Sequence, residues 1–185
     1  MGGPKSLPFL LGGNMNKNIV LMGCDNTGKT TLAEALAKYL DGEYIKSLGP
    51  NKCREEQLEF MHTNLKKKGI KIYDRFPLVE EVASGVVLRQ RTNFALTGQE
   101  EQEILSQVDL FILCYPGLFK VLNWGTREQY TGVKEHALDL IDRFNYVAVQ
   151  LQKQTGRVRE YNYTRTTLQE ACEKISKQLK VGGSK

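Results

Sequence analysis

The chain has 185 residues, of which 41% are hydrophobic and 25% are charged, a composition typical of globular proteins and a length that suits one compact domain. No apolar run reaches the ~20 residues that a bilayer span requires, which argues against a membrane protein. The formal net charge of +5 comes from scattered basic residues, with 66–68 the only run, so the sequence predicts no specific nucleic-acid binding.

Residues 1–14 are rich in Gly and Pro and lack periodicity, which predicts a tag or extension ahead of a single domain over 15–185. The apolar stretch 7–11 is interrupted by Pro8 and is shorter than the core of most secretory signals, so we expect no export signal. Four widely separated cysteines without a C-x-x-C pair indicate reduced thiols and a cytoplasmic protein.

Short β-rich runs alternate with helical stretches, which predicts stacked βαβ units around a parallel sheet. Strands are predicted at 18–22, 43–46, 70–73, 108–114 and 158–162. Helices are predicted at 30–40, 54–68, after Pro77, after a capping box at 97–100, at 133–154 and at 167–179. Segment 117–132 is polar and without periodicity, and we interpret it as a flap. The pattern favours a three-layer α/β domain.

A phosphate-binding motif follows the first predicted strand. Residues 23–30, GCDNTGKT, match G-x-x-x-x-G-K-[ST] and lead directly into a predicted helix, which is the context that this motif requires. Its backbone N–H groups and the helix N-terminus bind phosphate oxygens. We expect Lys29 to reach the β- and γ-phosphates of ATP and Thr30 to bind Mg²⁺. The predicted nucleotide-binding residues are Gly23, Asn26, Thr27, Gly28, Lys29, Thr30 and Thr31.

A carboxylate and an arginine stand side by side where the third predicted strand ends, at Asp74 and Arg75. Ligands of open α/β sheets bind at the carboxyl ends of the strands. There Asp74 can organise Mg²⁺ through water, while the guanidinium of Arg75 holds an acceptor phosphate bidentately. A surface ion pair without a function is the alternative.

With the loop in the form G-x-D-x-x-G-K-T-T and an Asp-Arg-aromatic motif ending in Phe76, the chain resembles the thymidylate kinase-like family of nucleoside and nucleotide kinases. The resemblance implies a P-loop NTPase fold with a five-stranded parallel sheet in the order 2-3-1-4-5, flanking helices and a lid. It also implies that Asp25 contacts the sugar 3′-hydroxyl, that Arg75 holds the acceptor phosphate, and that Asp74 supports the metal and the reacting groups.

The chain departs from this family in several places. Ala83-Ser84-Gly85 stands where a Tyr-Gln pair often precedes a glycine, which puts thymine recognition in doubt. Phe60 is a candidate stacking platform for the base, with an ordinary core Phe as the alternative. The flap takes the place of the family's lid, where Arg127 would neutralise the transferring phosphoryl group. After the last strand, Arg165 would stack on the adenine of ATP.

Three functions remain open on these residues. The leading hypothesis is a kinase that transfers the γ-phosphate of ATP to a (deoxy)nucleoside monophosphate. In a deoxynucleoside kinase, Asp74 would instead act as general base on a 5′-hydroxyl. A regulatory P-loop module or GTPase-type switch is less favoured, because the chain has no N-K-x-D or T-K-x-D motif. Asp109 stands at the start of the fourth strand, on the side opposite the phosphate site, and is rejected as a metal ligand. Whether the chain forms a homodimer stays open.

Overall fold

The computed structural model describes residues 16–49, 52–117 and 132–181, and of Val181 the backbone alone. The strands are β1 Lys17–Met22, β2 Glu43–Lys46, β3 Ile70–Asp74, β4 Leu110–Cys114 and β5 Val158–Tyr161. The helices are α1 Lys29–Leu40, α2 Arg54–Leu65, α3 Pro77–Glu80, a π-helical segment at Glu81–Gly85, α4 Val86–Arg89, α5 Gln99–Ser106, α6 Ala137–Thr155 and α7 Leu168–Val181.

All five strands are parallel and form one sheet in the order β2-β3-β1-β4-β5, which confirms the predicted fold class and strand order. Leu21 of β1 and Lys46 of β2 are both register partners of Asp74, and Met22 is the partner of Leu113 in β4. Since the strands run in the same direction, β1, β3 and β4 end together at one edge of the sheet. The candidate site lies at this edge.

Alternate residues of the central strand β1 enter two separate cores. Val20 and Met22 belong to the apolar cluster that also contains Phe144 of α6, whereas Ile19 and Leu21 belong to the cluster that contains Leu32 of α1. This alternation follows from the two-residue period of a strand. Helices α2, α3, α5 and α6 therefore cover one face of the sheet, and α1 and α7 cover the other, which gives the three layers.

The helix predicted after Pro77 is divided by the π-helical segment Glu81–Gly85. A π turn takes one more residue than an α turn, so it rotates the residues that follow about the helix axis. Val79 and Val82 are accordingly buried, whereas Val86 and Val87 are only half-buried. The apolar spacing that predicted one regular helix through all four valines was therefore wrong in its second half.

Three other helix boundaries differ from the prediction. The capping box at 97–100 was wrong, because α5 begins at Gln99 with Gly98 as its N-cap residue. The Glu101 carboxylate folds back over Gly98, where a Cβ would require this flexible side chain to move. Helix α2 ends at Leu65, before its lysine run, and α6 begins at Ala137 after a turn. None of the helices within 16–49, 52–117 and 132–181 combines the length and apolarity needed to cross a bilayer.

Candidate active site

The phosphate-binding motif forms a tight loop that begins after Met22 and closes against the end of β4. Gly23 has φ 135°, and a Cβ at this position would lie 2.5 Å from the carbonyl oxygen of Cys114. Gly28 is the left-handed N-cap residue of α1, with φ 84°. Asn26 also adopts a left-handed conformation, with φ 58°. The loop geometry therefore depends on glycine at both predicted positions.

Lys29 lies inside this loop and is almost completely buried. Its Nζ donates a hydrogen bond to the carbonyl oxygen of Cys24 and lies 3.4 Å from Oγ1 of Thr27, which itself donates to the same carbonyl at 2.9 Å. Burial lowers the pKa of Lys29, and the positive charge of Arg75 lowers it further. An arriving phosphate group would compensate the charge of this amine, which makes the loop interior a suitable anion site.

Asp74, the last residue of β3, accepts two hydrogen bonds on one carboxylate oxygen. Oδ2 accepts from Oγ1 of Thr30 at 2.6 Å and from the hydroxyl of Tyr44 at 2.9 Å. Within the described residues, Oδ1 is buried and has no hydrogen-bond partner. Burial and the hydrogen bond to Asp74 both raise the pKa of Tyr44. Tyr44 could not be identified from the sequence, because its contact with Asp74 depends on the pairing of β2 with β3.

The oxygen ligands around Asp74 fit a magnesium ion. Mg²⁺ prefers oxygen ligands, keeps several waters, and usually takes one or two protein groups together with phosphate oxygens. Thr30 and Asp74 supply a hydroxyl and a carboxylate that are already in contact, and Oδ1 offers a buried acceptor. In the described part of the chain, no group of three or more His, Cys, Asp or Glu side chains could hold a metal ion alone. The predicted pair Thr30 and Asp74 is therefore compatible with a phosphate-assisted Mg²⁺ site.

Arg75 connects the phosphate-binding loop to the helix that follows β3. Its backbone is left-handed, with φ 72°, and its N–H donates to the carbonyl oxygen of Leu21 at 3.2 Å. Its Nη2 donates to Oδ1 of Asp25, and its Nη1 donates to Oε2 of Glu80 at 2.9 Å. The side chains of Arg75 and Asp25 are only 9% and 2% exposed. A non-glycine residue with positive φ at the end of a strand is costly, and such conformations concentrate at functional sites.

Glu80 is a member of this site that the sequence analysis did not identify. Besides Arg75, its Oε2 accepts a hydrogen bond from Oγ of Ser84 at 3.3 Å. Its Oε1 is buried without a hydrogen-bond partner among the described residues. The one available signal was its position five residues after Arg75 in a helix that starts immediately behind the Asp-Arg motif, which places it within reach of the guanidinium.

Two more of the predicted nucleotide-binding residues lie around the same loop. Thr31 is exposed in the first turn of α1. Arg165 is exposed in a turn after β5, where its N–H donates to the carbonyl oxygen of Asn162 at 3.0 Å. The neighbouring Tyr163 ring lies 3.1 Å from the position of a Cβ on Gly28. The segment after β5 therefore contacts the phosphate-binding loop through Tyr163, and the adenine role of Arg165 stays a prediction.

Other predicted residues have no shown contact with the cluster. Phe60 lies on α2, partly buried, and packs against the apolar core on that face of the sheet. Arg127 and the flap residues 118–131 lie outside the described part of the chain. The roles of Phe60 as a stacking platform and of Arg127 in the lid therefore stay predictions.

Asp109 lies at the opposite edge of the sheet, as the sequence predicted. Its carboxylate accepts hydrogen bonds from Nζ of Lys17 and from the backbone N–H of Asn18, both at 2.8 Å. A cavity of about 510 Å³ at this edge is lined by Lys17, Asp109, Leu110, Gly156, Arg157, Arg159, Lys177, Gln178 and Leu179. The Asp109 carboxylate therefore stabilises the start of β1, away from the phosphate-binding loop.

The cysteines near the loop are not suited to nucleophilic chemistry. All four cysteines lie in the described part of the chain and are free. Burial raises the pKa of Cys24 and of Cys114 to about 12 in each case. Both thiols therefore stay protonated at neutral pH, and the thiolate is the reactive form.

No protein-family model matches the chain, and neither does any curated protein. Solved structures do match it. One is the YorR protein from Bacillus subtilis in complex with phosphorylated GDP, with 18% identity, a TM-score of 0.61, and coverage of 89% of this chain and 96% of that one.

Two kinases are also similar. Shikimate kinase from Acinetobacter baumannii, in complex with shikimate, has 16% identity and a TM-score of 0.58, with 93% of this chain and 97% of that one covered. Thymidylate kinase from Candida albicans has 13% identity and a TM-score of 0.55, with 91% and 93% covered. At these identities the likeness concerns the fold. The chain has the fold of P-loop kinases, and a thymidylate kinase-like activity stays a prediction.

Proposed function

We propose that the chain is an ATP-dependent nucleoside monophosphate kinase, which transfers the γ-phosphate of ATP to the phosphate of a (deoxy)nucleoside monophosphate. One observation carries the proposal: the buried ion pair between Asp25, in the phosphate-binding loop, and Arg75, at the end of β3. This pair joins the residue expected at the acceptor sugar to the residue expected at the acceptor phosphate.

A nucleotide is the ligand that best replaces this ion pair. Separating two buried charges costs several kcal/mol unless each charge finds a new partner. A nucleoside monophosphate offers an anion to the guanidinium of Arg75 and a hydroxyl donor to the carboxylate of Asp25. A neutral nucleoside offers only the hydroxyl, and it would leave Arg75 without a new anionic partner.

The reaction needs positioning and charge neutralisation rather than a protein base, because the acceptor phosphate is already ionised. Lys29 and the backbone N–H groups of the loop hold the phosphates of ATP, and Arg75 orients the acceptor phosphate. Thr30 and Asp74 would hold a Mg²⁺ ion, which would supply positive charge to the phosphates of ATP. Tyr44 and Thr30 keep the carboxylate of Asp74 in one orientation through their hydrogen bonds to Oδ2.

Several more specific roles and properties are proposed together with this function. A thymidylate kinase-like acceptor, a lid that contributes Arg127, adenine stacking on Arg165, base stacking on Phe60 and a cytoplasmic location are all consistent with this function. No binding of nucleic acid is required by it. A homodimer is compatible with it and is tested by the mass of the protein in solution.

The test is an ADP-release assay that compares each nucleoside monophosphate with its matching nucleoside, for wild type and for Arg75→Lys. Lysine keeps the charge but cannot form the planar fork, so we expect kcat/KM with the monophosphate to fall by about 1.5–3 kcal/mol, or roughly 10- to 150-fold. Arg54→Lys is the matched control, because Arg54 pairs with Glu100 on the protein surface. Preference of the wild type for the nucleoside would overturn the proposal.

A nucleoside kinase is the second candidate, and it is favoured by Oδ1 of Asp74, which has no hydrogen-bond partner among the described residues. This oxygen could accept the proton of a 5′-hydroxyl as general base. In that case Asp74→Asn should lower kcat by about 10²- to 10⁴-fold with the nucleoside, while Arg75→Lys leaves its KM unchanged. The two candidates therefore differ in which variant affects which substrate.

A further inference from the structure

We infer that Glu80 is a specificity-determining residue, which accepts a hydrogen bond from a hydroxyl or amino group of the acceptor. The inference rests on the proposed kinase function, since it concerns the acceptor half of that site. It assigns a role to a side chain outside both the phosphate-binding loop and the Asp-Arg motif.

The two carboxylate oxygens of Glu80 have different surroundings. Oε2 accepts from Nη1 of Arg75 at 2.9 Å and from Oγ of Ser84 at 3.3 Å, which fixes the orientation of the group. Oε1 is buried and has no hydrogen-bond partner within the described residues. The side chain as a whole is 14% exposed. Glu80 therefore presents one oriented acceptor atom that lacks a donor.

A buried carboxylate oxygen without a donor is unfavourable, because folding has removed its water and replaced it with nothing. Such atoms are uncommon in folded proteins and call for an explanation. Arg75 donates to Oε2 through Nη1 and to Asp25 through Nη2, and within the described residues no donor reaches Oε1. A ligand that brings an O–H or N–H group to Oε1 would remove the deficit.

Glu80 belongs to the same network of charged residues as the phosphate-binding loop, because Arg75 bonds both Glu80 and Asp25. Its charge raises the pKa of Lys29, against the larger lowering by burial, and also raises the pKa of Cys24. Both residues belong to the phosphate-binding loop, and Arg75 links Glu80 to Asp25 in the same loop. The free oxygen therefore belongs to the cluster that would surround the acceptor.

A carboxylate distinguishes between substrates because it attracts hydrogen-bond donors and repels other oxygen acceptors. It attracts the 2′-hydroxyl of a ribose or the 2-amino group of guanine, and it repels a carbonyl oxygen or a second phosphate placed against it. We therefore expect a preference for acceptors that present a donor at this point. A hydroxyl and an amino group would donate the same kind of hydrogen bond to Oε1. Pairs of acceptors that differ in only one of these groups distinguish the two.

The experiment measures kcat/KM for Glu80→Gln and wild type with GMP, IMP, dGMP and dTMP. GMP and IMP differ by the 2-amino group, and GMP and dGMP differ by the 2′-hydroxyl. Glutamine is of equal size and keeps an acceptor for Arg75, but its second atom becomes an NH₂ donor. We expect the preferred acceptor to lose about 10- to 100-fold through a higher KM, while acceptors without the donor change by less than about 3-fold.

Glu81→Gln is the matched control. Glu81 is the next residue and is also buried, but it pairs with Arg89 and Gln57 rather than with Arg75. Glu80→Asp is measured as well. Aspartate keeps the charge, but its shorter side chain moves the oxygen away from the acceptor, so we expect this variant to lose the acceptor preference that Glu80→Gln also loses. Thermal unfolding of each variant reports whether the fold is retained.

The ratios of kcat/KM between acceptors identify the donor that Glu80 binds. A loss confined to the GMP-to-IMP ratio identifies an amino donor, and a loss confined to the GMP-to-dGMP ratio identifies a hydroxyl donor. Equal effects of Glu80→Gln on all four acceptors, or a profile that does not change, would overturn the inference even when the kinase activity is present. If the wild type accepts only nucleosides, the proposed monophosphate activity fails instead, and the corresponding nucleosides test Glu80 in the same way.

Discussion

Asp25 and Arg75 are separated by 50 residues in the chain and form a buried ion pair at the end of the sheet. The pair joins the phosphate-binding loop after β1 to the first residue after β3. It forms because β1 and β3 are neighbouring parallel strands in which Leu21 and Asp74 are register partners. This ion pair, together with the hydrogen bond from Thr30 to Asp74, holds the phosphate-binding loop against the end of β3.

The first prediction concerns Asp25→Asn. Asparagine keeps the shape but not the charge, while the Arg75 guanidinium keeps its ion pair with Glu80. We expect the free energy of unfolding to fall by about 1–3 kcal/mol, less than for a completely unpaired buried charge. We also expect a higher KM for the acceptor and little change in ATP binding. Urea unfolding and initial-rate kinetics measure the two effects.

The control is Asp142→Asn, which changes an exposed carboxylate on α6. It should alter stability by less than about 0.5 kcal/mol. If Asp25→Asn raised the KM for ATP and left the acceptor dependence unchanged, Asp25 would serve only to shape the loop.

The second prediction concerns Lys29→Met. Burial lowers the folded-state pKa of Lys29, so the charged amine makes folding less favourable at neutral pH. This penalty begins to fall as the pH rises through the folded-state pKa and is gone above the unfolded-state pKa. Removing the amine should therefore leave the ATP-free protein at least as stable, while kcat/KM falls by more than about 100-fold. Melting curves with and without Mg-ATP test both parts, since binding to the folded state raises the melting temperature.

A large ATP-dependent rise in melting temperature for Lys29→Met, equal to that of wild type and accompanied by full turnover, would contradict the assignment of the loop. Lys38→Met provides the comparison, because Lys38 is an exposed lysine on the same helix. It should bind ATP and turn over normally.

The third prediction compares Gly23 and Gly49, which both have positive φ but differ in the atoms around them. Gly23→Ala places a Cβ 2.5 Å from a backbone oxygen at φ 135°, whereas Gly49→Ala has φ 87° and no atom within 4 Å. The second change should cost about 1 kcal/mol of conformational strain. The first adds a steric overlap and should cost roughly 2–4 kcal/mol, together with weaker ATP binding. Equal losses in chemical denaturation would show that the loop can shift away from β4.

The fourth prediction concerns Tyr44→Phe, which removes the hydroxyl that donates to Asp74. The Thr30 hydroxyl still donates to the same oxygen, so we expect a moderate effect. Activity should fall by about 2- to 10-fold, the size of one hydrogen bond, and the dependence of the rate on Mg²⁺ concentration should shift. Tyr39→Phe, on α1, is the control. An unchanged magnesium dependence would remove Tyr44 from the site.

Much of this molecule could be predicted from local spacing. The phosphate-binding loop, the alternation of strands and helices, and the position of Asp74 and Arg75 at the end of a strand all depend on residues close together in the chain. Periods of two and 3.6 residues and the glycines of the loop are local signals. The order of the strands is not local, and it came instead from the resemblance carried by the two motifs.

What the tertiary structure alone decided is how distant residues share the site. Tyr44 reaches Asp74 because β2 pairs with β3, and the π-helical segment after Glu80 ended the apolar spacing that predicted a regular helix. Arg75 lies between Asp25 and Glu80 because a left-handed residue follows the strand at the edge where the loop closes. The sequence by itself determined the identities and local spacing of the loop residues and of Asp74 and Arg75, which are the groups proposed to carry the chemistry. Only the packed sheet determined their partners, because hydrogen bonds and ion pairs between strands depend on register and backbone direction, which no local pattern specifies.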